Sequence, residues 1–319
     1  MPTPFARAFV AAALGLVLGT CVFVFLQRRP RLAGADFGYV WRAAGHLTES
    51  RNPYDAMPPG PRYGVDGPFL YPLPAAVLAT PLARLNAAQA SAVFFGVSTA
   101  LLAFGMTALG WWRLAAVVSP PYLLALLSAN WSPLMLAAAT IPWLGWLMVA
   151  KPNLGLIVFA AWPRWATVVG ALALIAVSVL VLPSWPLDWL AHVRAETIPH
   201  EPLARWALGA IGLAGLLRWR TPEGRLLAAF TLVPVSAFPY DFLLLWLIPR
   251  TRRQMTALTA CAWLAAPVIV GIDARANAAT VSIVRAVLVL GLVVPATIIV
   301  LRFPNRVAHA APEPRAPAT

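Results

Sequence analysis

The sequence predicts an all-α fold, a polytopic membrane helical bundle, and three observations carry that expectation. The first is composition: of 319 residues, 61% are hydrophobic and only 11% charged, with a mean hydropathy of +0.76. A soluble domain carries about a quarter charged residues, so this chain has too little charge to cover its apolar surface in water. The second is patterning: long apolar runs follow one another, separated by short polar or proline-rich breaks. One span takes about 20 apolar residues, so the length accommodates about 8–11 transmembrane helices and one real extramembrane loop. The third is charge: 24 basic against 11 acidic residues give a net +13. The arginines cluster between apolar runs (Arg218, Arg220, Arg225; Arg250, Arg252, Arg253; Arg302, Arg306), as cytoplasmic loops do under the positive-inside rule. Disorder is excluded by the hydropathy. Nucleic acid is not an expected partner, since no aromatic-basic stripe lies on a polar face. One lysine among 24 basic residues, with abundant Ala and Pro, reads as GC-rich bacterial coding and points to a multi-pass protein of a bacterial plasma membrane.

The elements follow in order. Residues 8–26 make the first span, with Arg7 before it and Arg28, Arg29 and Arg31 after it. Ala33-Gly34-Ala35 resembles a signal-peptide cleavage site. However, the apolar run is longer than an h-region and basic residues intervene, so a retained anchor is expected. Residues 27–68 form the longest polar segment, holding four of the eleven acids: Asp36, Glu49, Asp55 and Asp66. Within it, 36–48 has Phe37, Val40, Trp41, Ala44 and Leu47 near helical spacing, which predicts a short amphipathic helix on the membrane face. The remaining bundle, 69–301, holds expected spans at 69–85, 87–112, 114–129, 133–150, 166–182, 206–217, 226–249 (a hairpin of two short helices), 256–271 and 282–301. A second, shorter polar loop covers 183–204. The tail, 302–319, is Pro/Ala-rich and basic and is expected to be disordered. Taking the basic tail as cytoplasmic places 218–225 and 250–253 inside, and 27–68 with 183–204 outside. The many proline breaks imply irregular backbone at membrane depth, tolerated only where it is buried or lines a cavity.

Three positions stand out chemically. Asp36 follows the first span in a poorly hydrated position, where a carboxylate can serve as general base; capping a short helix is the commoner task for such a residue. Lys151, the single lysine, sits between two apolar runs. An ionisable group there marks a functional site or snorkels to the interface, and an ammonium can hold a phosphate. Tyr240-Asp241 stands at the turn of 226–249, where Asp241 is either a site residue or a helix cap. In the second polar loop His192 and His200 are eight apart, not the spacing of a helical zinc pair, so no metal site is expected. Cys21 and Cys261 lie in apolar runs and read as small hydrophobes. There is no P-loop, dinucleotide fingerprint, CxxC or nucleophile elbow, and no cofactor is expected.

One order of motifs runs over roughly 10–250: a single span, then Asp36 to Trp41, then Asn52-Pro53-Tyr54-Asp55, then the run 69–85 with Tyr71-Pro72-Leu73-Pro74 and Pro81-Leu82-Ala83-Arg84-Leu85. Asn130-Trp131-Ser132-Pro133-Leu134, Lys151-Pro152-Asn153 and Tyr240-Asp241 follow. This series resembles the GT-C membrane glycosyltransferases, most closely glycosyltransferase family 87, which includes the polyprenyl-phosphate-mannose-dependent α-mannosyltransferases. The chain is shorter, lacks the Gln of the family's break motif and has Leu73 for its second Pro. The resemblance implies an inverting hexosyltransferase with its site on the periplasmic or extracellular face. Its donor is a polyprenyl-phosphate sugar, and its acceptor is an envelope lipid or glycan. It makes Asp36 the general base for the acceptor hydroxyl and Lys151 the donor-phosphate ligand. Tyr39, Trp41, Tyr71, Asn130 and Asp241 become substrate-binding positions. The competing expectations are a transporter or flippase of a lipid-linked sugar, which would want paired charges at mid-membrane, and a non-catalytic membrane assembly protein.

Overall fold

A computed structural model describes residues 3–29, 36–58, 67–195, 201–235, 238–271 and 278–304. Arg31, Arg62, Asp66, Glu196, His200 and residues 305–319 lie outside the described residues, and with them the expectation of a disordered tail beyond 304. The chain is mostly helical, as expected; the two strands described, β1 (Glu201–Pro202) and β2 (Pro234–Val235), form one short antiparallel bridge.

Helix α1 (Pro4–Arg28) carries the first span and is capped by Thr3, whose hydroxyl accepts from the Ala6 amide. The amphipathic segment is helix α2 (Phe37–Thr48), followed by α3 (Pro53–Ala56) and α4 (Leu73–Ala79). Helix α5 (Ala87–Met106) begins with an Asn86/Gln89 capping box, which satisfies two of its orphan amides. Then come α6 (Pro120–Leu127), α7 (Ser132–Thr140), α8 (Pro152–Ala161), α9 (Trp165–Val181), α10 (Trp185–Ala195) and α11 (Pro222–Leu232). The last helices are α12 (Arg252–Gly271), α13 (Ala278–Leu288) and α14 (Val294–Leu301). A π turn at Val289–Val293 joins α13 to α14 just before Pro295, where a proline would otherwise clash with the preceding turn.

The number of full spans corrects the expected 8–11. Among the described residues four helices are long and apolar enough to cross a membrane: Pro4–Arg28, Ala87–Leu109, Arg252–Gly271 and Ala279–Leu301. Helices α9 and α10, bent by 96°, make a fifth if that pair is one span. Most of the other apolar runs are cut by proline. Helices α4, α6, α7, α8 and α11 each have proline in their first two positions and reach only 7 to 11 residues. Proline suits a helix start because its missing N–H is unpaired there anyway, so each proline begins a new short element. Between them run 3-10 segments at Trp111–Val118, Pro142–Ala150, Gly209–Arg218 and Pro239–Leu247. The expected hairpin at 226–249 is thus α11, the β2 bridge and a 3-10 run.

The long antiparallel pair α1 and α5 meets through glycine. A Cβ on Gly15 would lie 2.6 Å from the Gly96 carbonyl oxygen, and one on Gly96 would lie 2.8 Å from that of Gly15. Where lipid surrounds the helices, such close backbone approach supplies the dispersion contact that hydrophobic exclusion cannot. Helix α2 departs from expectation in its partners. Its apolar face (Phe37, Val40, Ala43, Ala44) is buried in the protein against α4 and α5.

Arginines close the opposite end. Arg7 donates to the Phe104 carbonyl at 2.6 Å, Arg225 to those of Ala160 and Ala161 at 3.1 and 2.7 Å, and Arg218 to that of Leu301 at 2.8 Å. Arg164 reaches the Ala139 carbonyl at 3.4 Å, and buried Arg113 reaches that of Pro249 at 2.8 Å. Each acceptor sits at or just past the C-terminus of a helical element, where carbonyls lack partners and the dipole is negative. Of the basic clusters between apolar runs, the one at 218–225 thus supplies two structural caps, Arg218 and Arg225.

Candidate functional site

The N-terminal ends of the same elements converge elsewhere. Asp36 precedes α2, Asn130 lies two residues before α7, Lys151 precedes α8, and Asp241 lies in the first turn of the 3-10 run Pro239–Leu247. Their side chains form one chain of hydrogen bonds. Tyr71 Oη donates to Asp36 Oδ1 at 2.9 Å, and Asn130 Nδ2 donates to Asp36 Oδ2. Asn130 Oδ1 accepts from the Ser132 amide at 2.8 Å, from Ser132 Oγ at 2.7 Å and from Lys151 Nζ at 3.5 Å. Lys151 Nζ donates to Asp241 Oδ1 at 2.9 Å and lies 5.3 Å from the Tyr240 ring centroid. Three donors facing one amide oxygen fix the orientation of Asn130, and the amide nitrogen is left for Asp36.

This arrangement decides between the roles open to each residue. Asp36 makes no side-chain capping bond, so the helix-cap role does not hold. Its carboxylate is held by two donors from other elements, and the residue remains half-buried. Its backbone has φ +29°, a region that costs a non-glycine residue on the order of 1–3 kcal/mol and persists only where the surroundings impose it. Lys151, 8% exposed, does not snorkel. Asp241, 1% exposed, pairs with Lys151 and does not precede the 3-10 run as a cap. Burial chiefly, and then the Asp36 carboxylate, holds the Tyr71 phenol well above its usual range, so Tyr71 stays a donor.

Two expected substrate-binding residues stand differently. Trp41 Nε1 donates to the Leu85 carbonyl at 3.0 Å; the ring ties α2 to the turn after α4 and joins no hydrogen bond of the Asp36 chain. The Tyr39 ring covers Gly67, where an added Cβ would fall 2.4 Å from Cε1. The sequence reading missed Ser132 and the aromatic wall. Ser132 was legible as Asn-x-Ser ahead of a proline, a pattern that favours side-chain to backbone bonds. Phe37 stacks on Phe94 at 4.0 Å between centroids, Phe94 meets Trp131 at 4.8 Å, and Trp131 lies 6.1 Å from Tyr71. Phe94 carries no local signal, since in sequence it is one more apolar residue of a span.

The second polar segment joins the same end. Helix α10 docks on the first loop through Asn52 Nδ2 to Asp188 Oδ2 at 3.1 Å and Trp189 Nε1 to the Leu70 carbonyl at 2.9 Å. Tyr54 Oη donates to the Tyr71 carbonyl at 3.0 Å and its ring meets His192 edge-on at 5.3 Å. The two acid-bearing loops thus share one end of the bundle. Among the described residues no group of three His, Cys, Asp or Glu side chains is placed to hold a metal ion.

The chemistry open to the site follows from its charges. One carboxylate, Asp241, pairs with the ammonium and the other, Asp36, is linked to it through Asn130, beside the N-terminal ends of α2, α7 and α8. A helix N-terminus favours an anion, so these ends suit a bound oxyanion. Lys151 spends one N–H on Asp241 and one toward Asn130, so one of its three donors remains for a ligand.

Comparison with protein-family models, with curated proteins and with solved structures gives no significant match to this chain.

Proposed function

We propose that this membrane protein is a glycosyltransferase of the GT-C type. It moves a hexose such as mannose from a polyprenyl-phosphate donor to an envelope lipid or glycan acceptor. The observation that carries the reading is the convergence of Asp36, Tyr71, Asn130, Lys151 and Asp241 from five separate segments into one bonded cluster. The motif order marked those positions, and they lie at the end of the bundle away from the arginine caps. With the arginines cytoplasmic under the positive-inside rule, the cluster faces the periplasm or exterior.

In this reaction the acceptor hydroxyl gives its proton to Asp36 as its oxygen attacks the anomeric carbon from the face opposite the phosphate. The bond between that carbon and the phosphate oxygen breaks, and polyprenyl phosphate leaves with the electron pair. Configuration inverts and no further reactant is consumed. Tyr71 and Asn130 hold the carboxylate in place. The free N–H of Lys151 and the N-termini of α7 and α8 meet the leaving phosphate, where developing charge is stabilised most strongly by preorganised donors. The test is transfer of labelled sugar from polyprenyl phosphate in membranes holding the Asp36→Asn variant. General-base loss predicts a fall of about 10²- to 10⁴-fold; a rate equal to the parent's refutes the role.

One observation favours a second reading, movement of a lipid-linked sugar across the membrane. Lys151 and Asp241 form a buried ion pair, and such pairs within a membrane protein mark substrate or proton pathways. Sealed vesicles separate the two: a transporter moves intact lipid-linked sugar between leaflets, whereas a transferase leaves the sugar on a new acceptor.

A further inference from the structure

We propose that α10 lies flat in the headgroup boundary of the bilayer, its outward face inserted among lipids, and seats the Asp36 cluster at that level. Amphipathic helices of water-soluble surfaces keep their large apolar side chains on the protein side; α10 carries them on both sides, with Trp185 and Trp189 against the protein and three aliphatic side chains turned away from it. Its inward positions are Trp185, Asp188, Trp189 and His192, and two of them bond to the protein. Asp188 accepts from Asn52 and, at 2.7 Å, from Ser184 Oγ, and Trp189 donates to the Leu70 carbonyl. Its outward positions carry Leu187, Leu190 and Val193, exposed by 74%, 39% and 43%. Three large apolar side chains turned outward on one short helix, with its Asp188 carboxylate and Trp189 N–H bonded on the inward side, fit a lipid occupant.

Three further features commit that occupant to the bilayer boundary. The apolar surface continues that of α9, whose Val169, Leu172, Val177 and Leu180 are exposed by 64%, 59%, 46% and 84%. Helix α9 has 17 residues, about 25 Å at 1.5 Å per residue, close to the thickness of a hydrocarbon core. The 96° bend that follows turns the next helix parallel to the membrane plane if α9 stands across it. Arg194, exposed at the end of the same outward face, is placed for lipid phosphates, as on interfacial helices. The consequence is that a substrate carried on a lipid headgroup meets the site without leaving its leaflet. This placement stands whether the reaction is sugar transfer or transport.

The test uses the full chain, with Cys21 and Cys261 replaced by alanine, in vesicles of phosphatidylcholine and phosphatidylglycerol. Nitroxide labels are placed singly through Leu187→Cys, Leu190→Cys and Arg194→Cys, with Leu172→Cys and Glu49→Cys as membrane and water references. Labels at 187 and 190 should collide several-fold more with oxygen than with a water-soluble nickel chelate. Labels at 187, 190 and 194 should share one depth, shallower than that at 172. Chelate accessibility like that at Glu49 overturns the proposal in favour of water or a soluble partner. A depth that advances steadily from 187 to 194, by about 10 Å for seven residues of helix, overturns it in favour of a continued span. The unlabelled parent in vesicles with photoactivatable phosphatidylcholine gives a readout free of substitution: lipid adducts are expected on 185–195, and adducts on α9 with none there also overturn the proposal.

Discussion

Asp36 depends on its two donors, and that dependence can be measured. Tyr71→Phe removes one hydrogen bond to a carboxylate, worth about 1.5–3 kcal/mol. If the proposed reaction holds, sugar transfer by this variant falls roughly 10- to 100-fold, with the protein still folded. The same phenol sets an alkaline limit. Its folded value lies above the unfolded value of 10.0, so its contribution to stability is complete below about pH 10 and is lost as pH rises toward the folded value. Unfolding in detergent should show less alkaline destabilisation in Tyr71→Phe than in the parent. For the buried pair, Lys151→Ala leaves Asp241 without its cation, and should cost about 3–5 kcal/mol. Adding Asp241→Asn should recover part of that loss in a double-mutant cycle, because the stranded charge is then gone. If the two losses simply add, the pair is not coupled. Asp36, Lys151 and Asp241 were legible in the sequence because ionisable residues are scarce in an apolar chain. Their connection through Asn130 was not, since it spans 94 and 21 residues of separation.

At the level of elements, glycine and arginine do most of the joining. Gly96→Val puts methyl groups where even a Cβ would meet the Gly15 carbonyl oxygen at 2.8 Å. Backbone cannot yield as a side-chain tip does, so α1 and α5 must separate. Overpacking of this kind costs about 1–3 kcal/mol, to be read as a lower unfolding temperature in detergent. Arg225 caps α8 through two carbonyls. Arg225→Gln should lower stability by about 1–2 kcal/mol through lost charge-assisted bonds. Helix starts were readable, because proline, asparagine and threonine announce them. Helix lengths were not: an apolar run of 20 residues has the same hydropathy whether it is one helix or two halves meeting at a proline.

For the molecule as a whole, the opposition of two ends makes a topological prediction. Single cysteines at Ser184 and Arg220, in protein cleared of its native thiols, should react with impermeant reagent from opposite sides of sealed vesicles. Reaction of both from one side would contradict a bundle in which the helix N-termini of the site and the arginine caps face opposite ways. The same opposition accounts for the charge pattern, since cations stabilise helix C-termini on one side and anions N-termini on the other.

By itself the sequence determined a helical membrane protein, its first span, the amphipathic segment at 36–48 and the few ionisable residues that meet in one cluster. These are properties of composition and local periodicity, and local rules govern them. Only the tertiary structure decided that most apolar runs are half-length, that α2 buries its apolar face in protein, and that Trp41 braces a turn. It also decided that Asp36 is clamped by Tyr71 and Asn130 where it could have capped a helix. The last two of those outcomes depend on which distant segment supplies the partner for a buried polar group, and hydrogen bonding between segments far apart in the chain leaves no mark on local hydropathy.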